Sequence, residues 1–162
     1  MLTTLPVITL SAAMLLAGIG IVLAFFRRLP APLVSFAAML VAWFSGMVSF
    51  TSGQLWFWGV AALIASGISY LVPPVPDSQC RLYTAGGALV GAVIGLVGGT
   101  TAWVIIASAL GAFFAFTAYC RTPRGAAAGL SAGRVDVLAG VALPAVVNFS
   151  MVMLIFAQLI NL

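Results

Sequence analysis

From Leu82 to Tyr119 the chain runs for 38 residues without a charged side chain. A helix needs about 20 mostly apolar residues to cross the hydrocarbon of a bilayer, with a working range of about 17–25. The run is too long for one crossing and long enough for two, with Gly98-Gly99-Thr100-Thr101 as its natural break. Four further apolar runs surround it. Leu5 to Phe26 is stopped by Arg27-Arg28, and Leu33 to Phe50 by Thr51-Ser52-Gly53-Gln54. Leu55 to Val72 ends at Pro73-Pro74 and Pro76, and Val137 to Leu159 is the last. Spans at about 5–26, 33–50, 55–72, 82–98, 102–119 and 137–159 predict an all-α polytopic bundle of six membrane helices in one integral membrane domain, 1–162. Charge agrees: 5% of residues are charged, against about 25% in a soluble domain, so the chain cannot cover a water-facing surface.

Arginine placement orients the spans. Arg27 and Arg28 fall in the first connection, Arg81 in the third, and Arg121, Arg124 and Arg134 in the fifth; the second and fourth carry no charge. Six spans therefore put all six arginines on one side, which the positive-inside rule makes cytoplasmic, with both termini outside. Treating Leu82 to Tyr119 as one span would divide them three and three. Trp56, Trp58 and Trp103 fall at the expected outer edge and Tyr70, Tyr83 and Tyr119 at the inner edge, as interfacial aromatic belts require. One variant leaves every arginine in place: helices four and five as a re-entrant hairpin, whose non-helical backbone would have to be buried in protein or face water. The N-terminal run does not resemble a cleavable signal, because its first positive charge follows the apolar segment rather than preceding it.

The charge inventory excludes much chemistry. Six arginines and two aspartates, Asp77 and Asp136, are the only charged residues, and the chain has no histidine. General acid–base catalysis draws mostly on His, Glu or Asp, and a zinc site needs three or four Cys, His or carboxylate ligands. Without lysine there is no phosphate loop ending in Lys-Ser or Lys-Thr. We expect no enzyme, no cofactor and no metal. The net charge of +4 is membrane orientation rather than a nucleic-acid footprint, because the arginines sit between apolar spans. Cys80 and Cys120 each precede an arginine; a nearby cation can activate a thiol, but the simpler reading is two interfacial cysteines kept reduced. Met39, Met47, Met151 and Met153 are spaced as apolar filler rather than as a soft-metal cluster.

Helix four carries a ladder, Gly87, Gly91, Gly95 and Gly99, at every fourth residue. Residues four apart share a helix face, so the ladder is a groove without side chains. Helices in lipid associate through close packing that small residues permit, and Ala107 and Gly111 on helix five are the nearest small partners. A second copy of the chain, or a lipid tail or small ligand in the groove, are the alternatives. In the last helix Pro144 removes a backbone donor. Asn148 lies 11 positions beyond Val137, about 16 Å at 1.5 Å per residue, near the bilayer middle. An amide there needs a partner, either an interhelical hydrogen bond bracing a kink or a solute. Ser45, Ser49, Ser66, Ser69 and Ser108 are expected to pack helices. The basic loop from Arg121 to Asp136 sets orientation and can also attract anionic head groups, at about 1 kcal/mol per arginine.

A proline-bearing connection into helix two, a third span ending near Ser69-Tyr70, the run Gly86-Gly87-Ala88-Leu89-Val90-Gly91-Ala92-Val93-Ile94-Gly95, and a small-residue helix through Gly111-Ala112-Phe113 together resemble the bacterial membrane proteins catalogued as domain of unknown function 456. The resemblance covers roughly residues 29 to 160. It implies a small inner-membrane protein without an agreed activity. That family tends to carry acidic residues where this chain has Ser69 and Thr117, so no ionisable function is carried over. Two functional expectations remain. One is a carrier of a neutral or lipid-like solute, built from inverted three-helix halves and not coupled to protons through carboxylates. The other is an accessory subunit of a larger membrane complex. The expected partners are the bilayer itself and a second copy or complex subunit, with no nucleic acid.

Overall fold

These charge-free runs fold into long helices in a computed structural model that describes residues 4–26, 30–73, 77–127 and 134–160. The order is α1 (Thr4–Ala24), α2 (Ala31–Phe44), α3 (Ser52–Leu71), α4 (Ser78–Val97), α5 (Thr101–Cys120), the short α6 (Pro123–Ala127) and α7 (Arg134–Val137), a π-helical turn (Leu138–Ala142) and α8 (Leu143–Ile160). Among the described residues there is no strand. Five helices are long and apolar enough to cross a membrane: Pro6–Ala24, Ser52–Leu71, Ser78–Val97, Thr101–Cys120 and Val135–Ile160. Leu15, Phe44, Trp56, Leu71, Val97 and Ile160 stand exposed on the outside of the bundle, an apolar surface far beyond what a water-soluble monomer carries. The chain is a multi-pass membrane protein.

The second apolar run differs from its expected span. Its helix has 14 residues, about 21 Å long, and stops at Phe44 rather than Phe50. The Ser45 hydroxyl donates back to the Ala42 carbonyl at 2.6 Å, and Gly46 takes φ +70°, which a residue with a Cβ adopts only at a cost. The chain then leaves the helix, and Val48 and Phe50 turn into a core shared with Met39, Trp58 and Met151. The Val48 and Phe50 side chains anchor the unwound stretch, in which Gly46 and Ser49 are exposed.

Other boundaries moved because polar residues taken as connections act as caps. Thr51 and Gln54 form a reciprocal capping box, which satisfies two orphan donors at the start of α3 and begins it at Ser52 rather than Leu55. Asp77 accepts the Gln79 N–H at 2.9 Å and starts α4 at Ser78 rather than Leu82. Arg81 therefore sits in the first turn of α4, not in a connection. Part of the basic loop is helical as α6 and α7. Trp58 and Tyr119 belong to the core rather than to an interfacial belt, whereas Trp56, Trp103, Tyr70 and Tyr83 are exposed.

Two antiparallel hairpins, α1–α2 and α4–α5, make the closest helix pairs. The α4–α5 turn is Gly98-Gly99-Thr100, in which Gly99 takes φ +72° and Thr100 caps α5. Gly99 thus serves the turn, and a Cβ there would meet nothing within 4 Å. The other ladder glycines face α5. A Cβ on Gly87 would collide with the Gly111 carbonyl oxygen, and one on Gly91 with that of Ala107. On Gly95 it would come within 2.6 Å of Val104 Cα. The Ser108 hydroxyl crosses this interface to the Ala88 carbonyl at 2.9 Å.

The last helix is the hub. In Val135–Ile160 72% of the most apolar window is buried, against 17–39% for the other four long helices, and α8 touches each of α1 to α5. Phe149, Met151, Val152 and Ile155 fill the centre.

Candidate functional site

Asn148 is fully buried and ties three helices. Its Nδ2 donates to the Gly20 carbonyl of α1 at 3.1 Å, and its Oδ1 accepts from the Ser35 hydroxyl of α2 at 2.6 Å. Gly20 allows this approach, because a Cβ there would strike the Ser35 hydroxyl. The amide is engaged by protein on both sides. It works as an interhelical clasp.

Pro144 lies one turn earlier and does something separate. It has no N–H to donate, and the ladder just before it widens: the Leu143 N–H reaches five residues back to the Leu138 carbonyl. Such single π-turns are frequent at functional sites. Here the turn borders a cavity of about 60 Å³ where the end of α1, the start of α2, the end of α3, the start of α4 and the π-turn converge. Pro144 and Gly140 form one wall, Ser66, Ser69 and Tyr70 of α3 another, and Arg81 of α4 contributes the cation. Leu23, Phe26, Val72 and Val141 supply apolar surface.

Ser66 is buried, and its hydroxyl has no hydrogen-bond partner among the described residues. A buried hydroxyl without a partner is costly, and most find one. Ser69 instead donates to the Ala65 carbonyl at 3.1 Å and keeps its lone pairs available. Nothing in the spacing joins Ser66 to Arg81: a serine within an apolar span reads as packing, and the π-turn that shapes the opposite wall leaves only Pro144 as a trace.

Beside the cavity, α4 and α5 are pinned by a second polar contact. The Tyr119 hydroxyl donates to Asp77, and this bond is the main reason the Asp77 carboxyl is held below its ordinary range; the Gln79 N–H and the Arg124 charge act the same way, against a smaller opposing effect of burial. A depressed folded-state value means that Asp77 stabilises the fold above the unfolded carboxylate value, about 3.9. That contribution is lost as pH falls through the folded value. Wild type should therefore lose more thermal stability than Asp77→Asn between about pH 5 and 2, and parallel melting curves over that window would remove the link. Cys80 is buried with Phe116, Tyr119, Val137 and Val141, and Cys120 packs against the same cluster. Both thiols are free.

Arg121 and Arg124 are exposed. Arg27 and Arg28 lie outside the described residues, as does the side chain of Arg134, whose backbone opens α7. Among the described residues no group of three His, Cys, Asp or Glu could hold a metal ion. No protein family, curated protein or solved structure was found to match the chain.

Proposed function

We propose that the protein is a six-pass inner-membrane carrier for a lipid-like solute, with both termini outside and the cavity at its cytoplasmic end. The cavity carries this reading: polar groups on α3 and α4 face apolar walls from α1 and the last helix, beside a proline and a π-turn at which the hub helix can bend. The spans contain no buried carboxylate or histidine, which argues against proton coupling of the kind that intramembrane acids provide. In this reading the second apolar run crosses as a 14-residue helix followed by an unwound stretch that buries Val48 and Phe50, which would give an even number of passes and keep the arginines together.

The test is movement of a fluorescent phospholipid analogue between leaflets of liposomes with and without the protein. Faster movement with wild type, reduced several-fold in Pro144→Ala, is the expected result; equal rates with and without protein would sink the carrier. A second reading, an accessory subunit, is favoured by an open apolar groove of about 740 Å³ over Gly86, Val90, Leu110 and Phe114 on the outer face of α4 and α5. A stoichiometric protein partner in native mass spectra from nanodiscs would support it.

A further inference from the structure

We infer that the cavity beside the π-turn is an oxyanion site, which takes the phosphate group of an anionic amphiphile through Arg81 and Ser66. The inference rests on the carrier reading in taking this cavity as the solute's seat, and it adds the chemical class of the head group.

Size comes first. A cavity needs about 10–15 Å³ of comparable volume to hold one water. At about 60 Å³ this one accommodates a group of roughly four or five non-hydrogen atoms, the size of a phosphate. Charge comes second. Among the described residues that line it Arg81 is the cation, and neither Asp77 nor Asp136 is one of them. A guanidinium presents a planar fork of donors that suits phosphate oxygens. The buried Ser66 hydroxyl comes third. It is 4% exposed, has no partner among the described residues, and stands in the same wall as Ser69 and Tyr70. A hydroxyl rotates to suit its partner, and a phosphate oxygen in the cavity would give it an acceptor.

The start of α2 contributes field rather than bonds. Pro30 precedes the helix without a side-chain cap, Pro32 has no N–H, and the Leu33 and Val34 N–H groups already turn back to the Pro30 carbonyl. Its partial positive charge still favours an anion nearby. The apolar residues at the rim, Leu23 and Phe26 on α1 and Val72 beyond α3, suit the start of an acyl chain or glycerol backbone. A doubly charged, fully hydrated ion would gain nothing from them.

The protein in phosphatidylcholine nanodiscs would be titrated with dioctanoyl phosphatidylglycerol, dioctanoyl phosphatidylcholine and inorganic phosphate, and read by thermal shift and native mass spectrometry. Phosphatidylglycerol is expected to bind at least about tenfold tighter than phosphatidylcholine, since charge-assisted bonds are the strong ones. Arg81→Gln should remove that preference. Ser66→Ala should weaken binding several-fold while leaving the ligand-free protein as stable as wild type or more so, because it deletes an unpartnered hydroxyl. Arg124→Gln, a surface cation away from the cavity, should bind as wild type does and so separates the site from general attraction to basic residues. Competition by inorganic phosphate alone would keep the oxyanion site and assign it to a free anion. Equal binding of the two lipids, weakened by Ser66→Ala, would overturn the anion assignment and leave the carrier reading standing. Loss of all binding, or binding indifferent to both Ser66→Ala and Arg81→Gln, would overturn both.

Discussion

Gly91→Leu is expected to leave little folded protein. A Cβ at this position collides with the Ala107 carbonyl oxygen and lies 2.9 Å from Ser108 Cα. Both obstacles are backbone, so no rotamer change relieves them, and α4 must move away from α5. Separation also stretches the Ser108-to-Ala88 bond and opens the faces of Gly87 and Gly111, which approach as closely. Overpacking a well-filled core costs about 1–3 kcal/mol and occasionally more; with backbone on both sides the cost should exceed about 3 kcal/mol. Yield of monodisperse protein and thermal midpoint in detergent are the measurements. Leu96→Ile is the control, a volume-conserving exchange in a partly buried position that should cost under about 1.5 kcal/mol. Wild-type yield and midpoint for Gly91→Leu would show that the two helices do not meet here.

Asn148→Leu should cost about 1–3 kcal/mol, built from two interhelical bonds at about 0.6 kcal/mol each on average, up to about 1.7, and from partners left behind in a dry core. The Gly20 carbonyl keeps its own helical bond, so the larger loss falls on Ser35, whose fully buried hydroxyl is left facing leucine. Ser35→Ala alone should cost less. The double variant should cost less than the sum of the two, because both remove the same 2.6 Å bond and residues in one network couple. Additive losses in a four-protein comparison by thermal unfolding would mean that Ser35 and Asn148 act independently.

Hydropathy alone located the α-helical, membrane-crossing character of the chain, because uncharged runs of this length admit few other structures. It failed where polar residues have local jobs. Thr51, Gln54 and Asp77 look like loop residues and are caps, so α3 and α4 begin earlier than the apolar runs do. Gly46 lies inside an apolar run and ends α2, since a window average cannot tell a packing glycine from one at φ +70°. The same ambiguity puts Gly99 in register with Gly95, although it belongs to the turn. Asn148 and Pro144 were legible as the unusual residues of the last helix. That one makes a clasp and the other lines a cavity depends on which way each faces across three or more helices, and one-dimensional spacing does not carry that. Ser66 was legible only as one serine among several.

The hub helix comes later in the chain than every helix it holds. Asn148 follows Ser35 by 113 residues and Gly20 by 128, so at a synthesis rate of about 5–20 residues per second the Ser35 hydroxyl waits on the order of ten seconds for its acceptor. The α1–α2 and α4–α5 hairpins need no such wait, because each packs within its own short stretch of chain. The polar clasp that joins α1, α2 and the hub is therefore a late event, and until it forms the Ser35 hydroxyl is a loose end inside an otherwise closed hairpin.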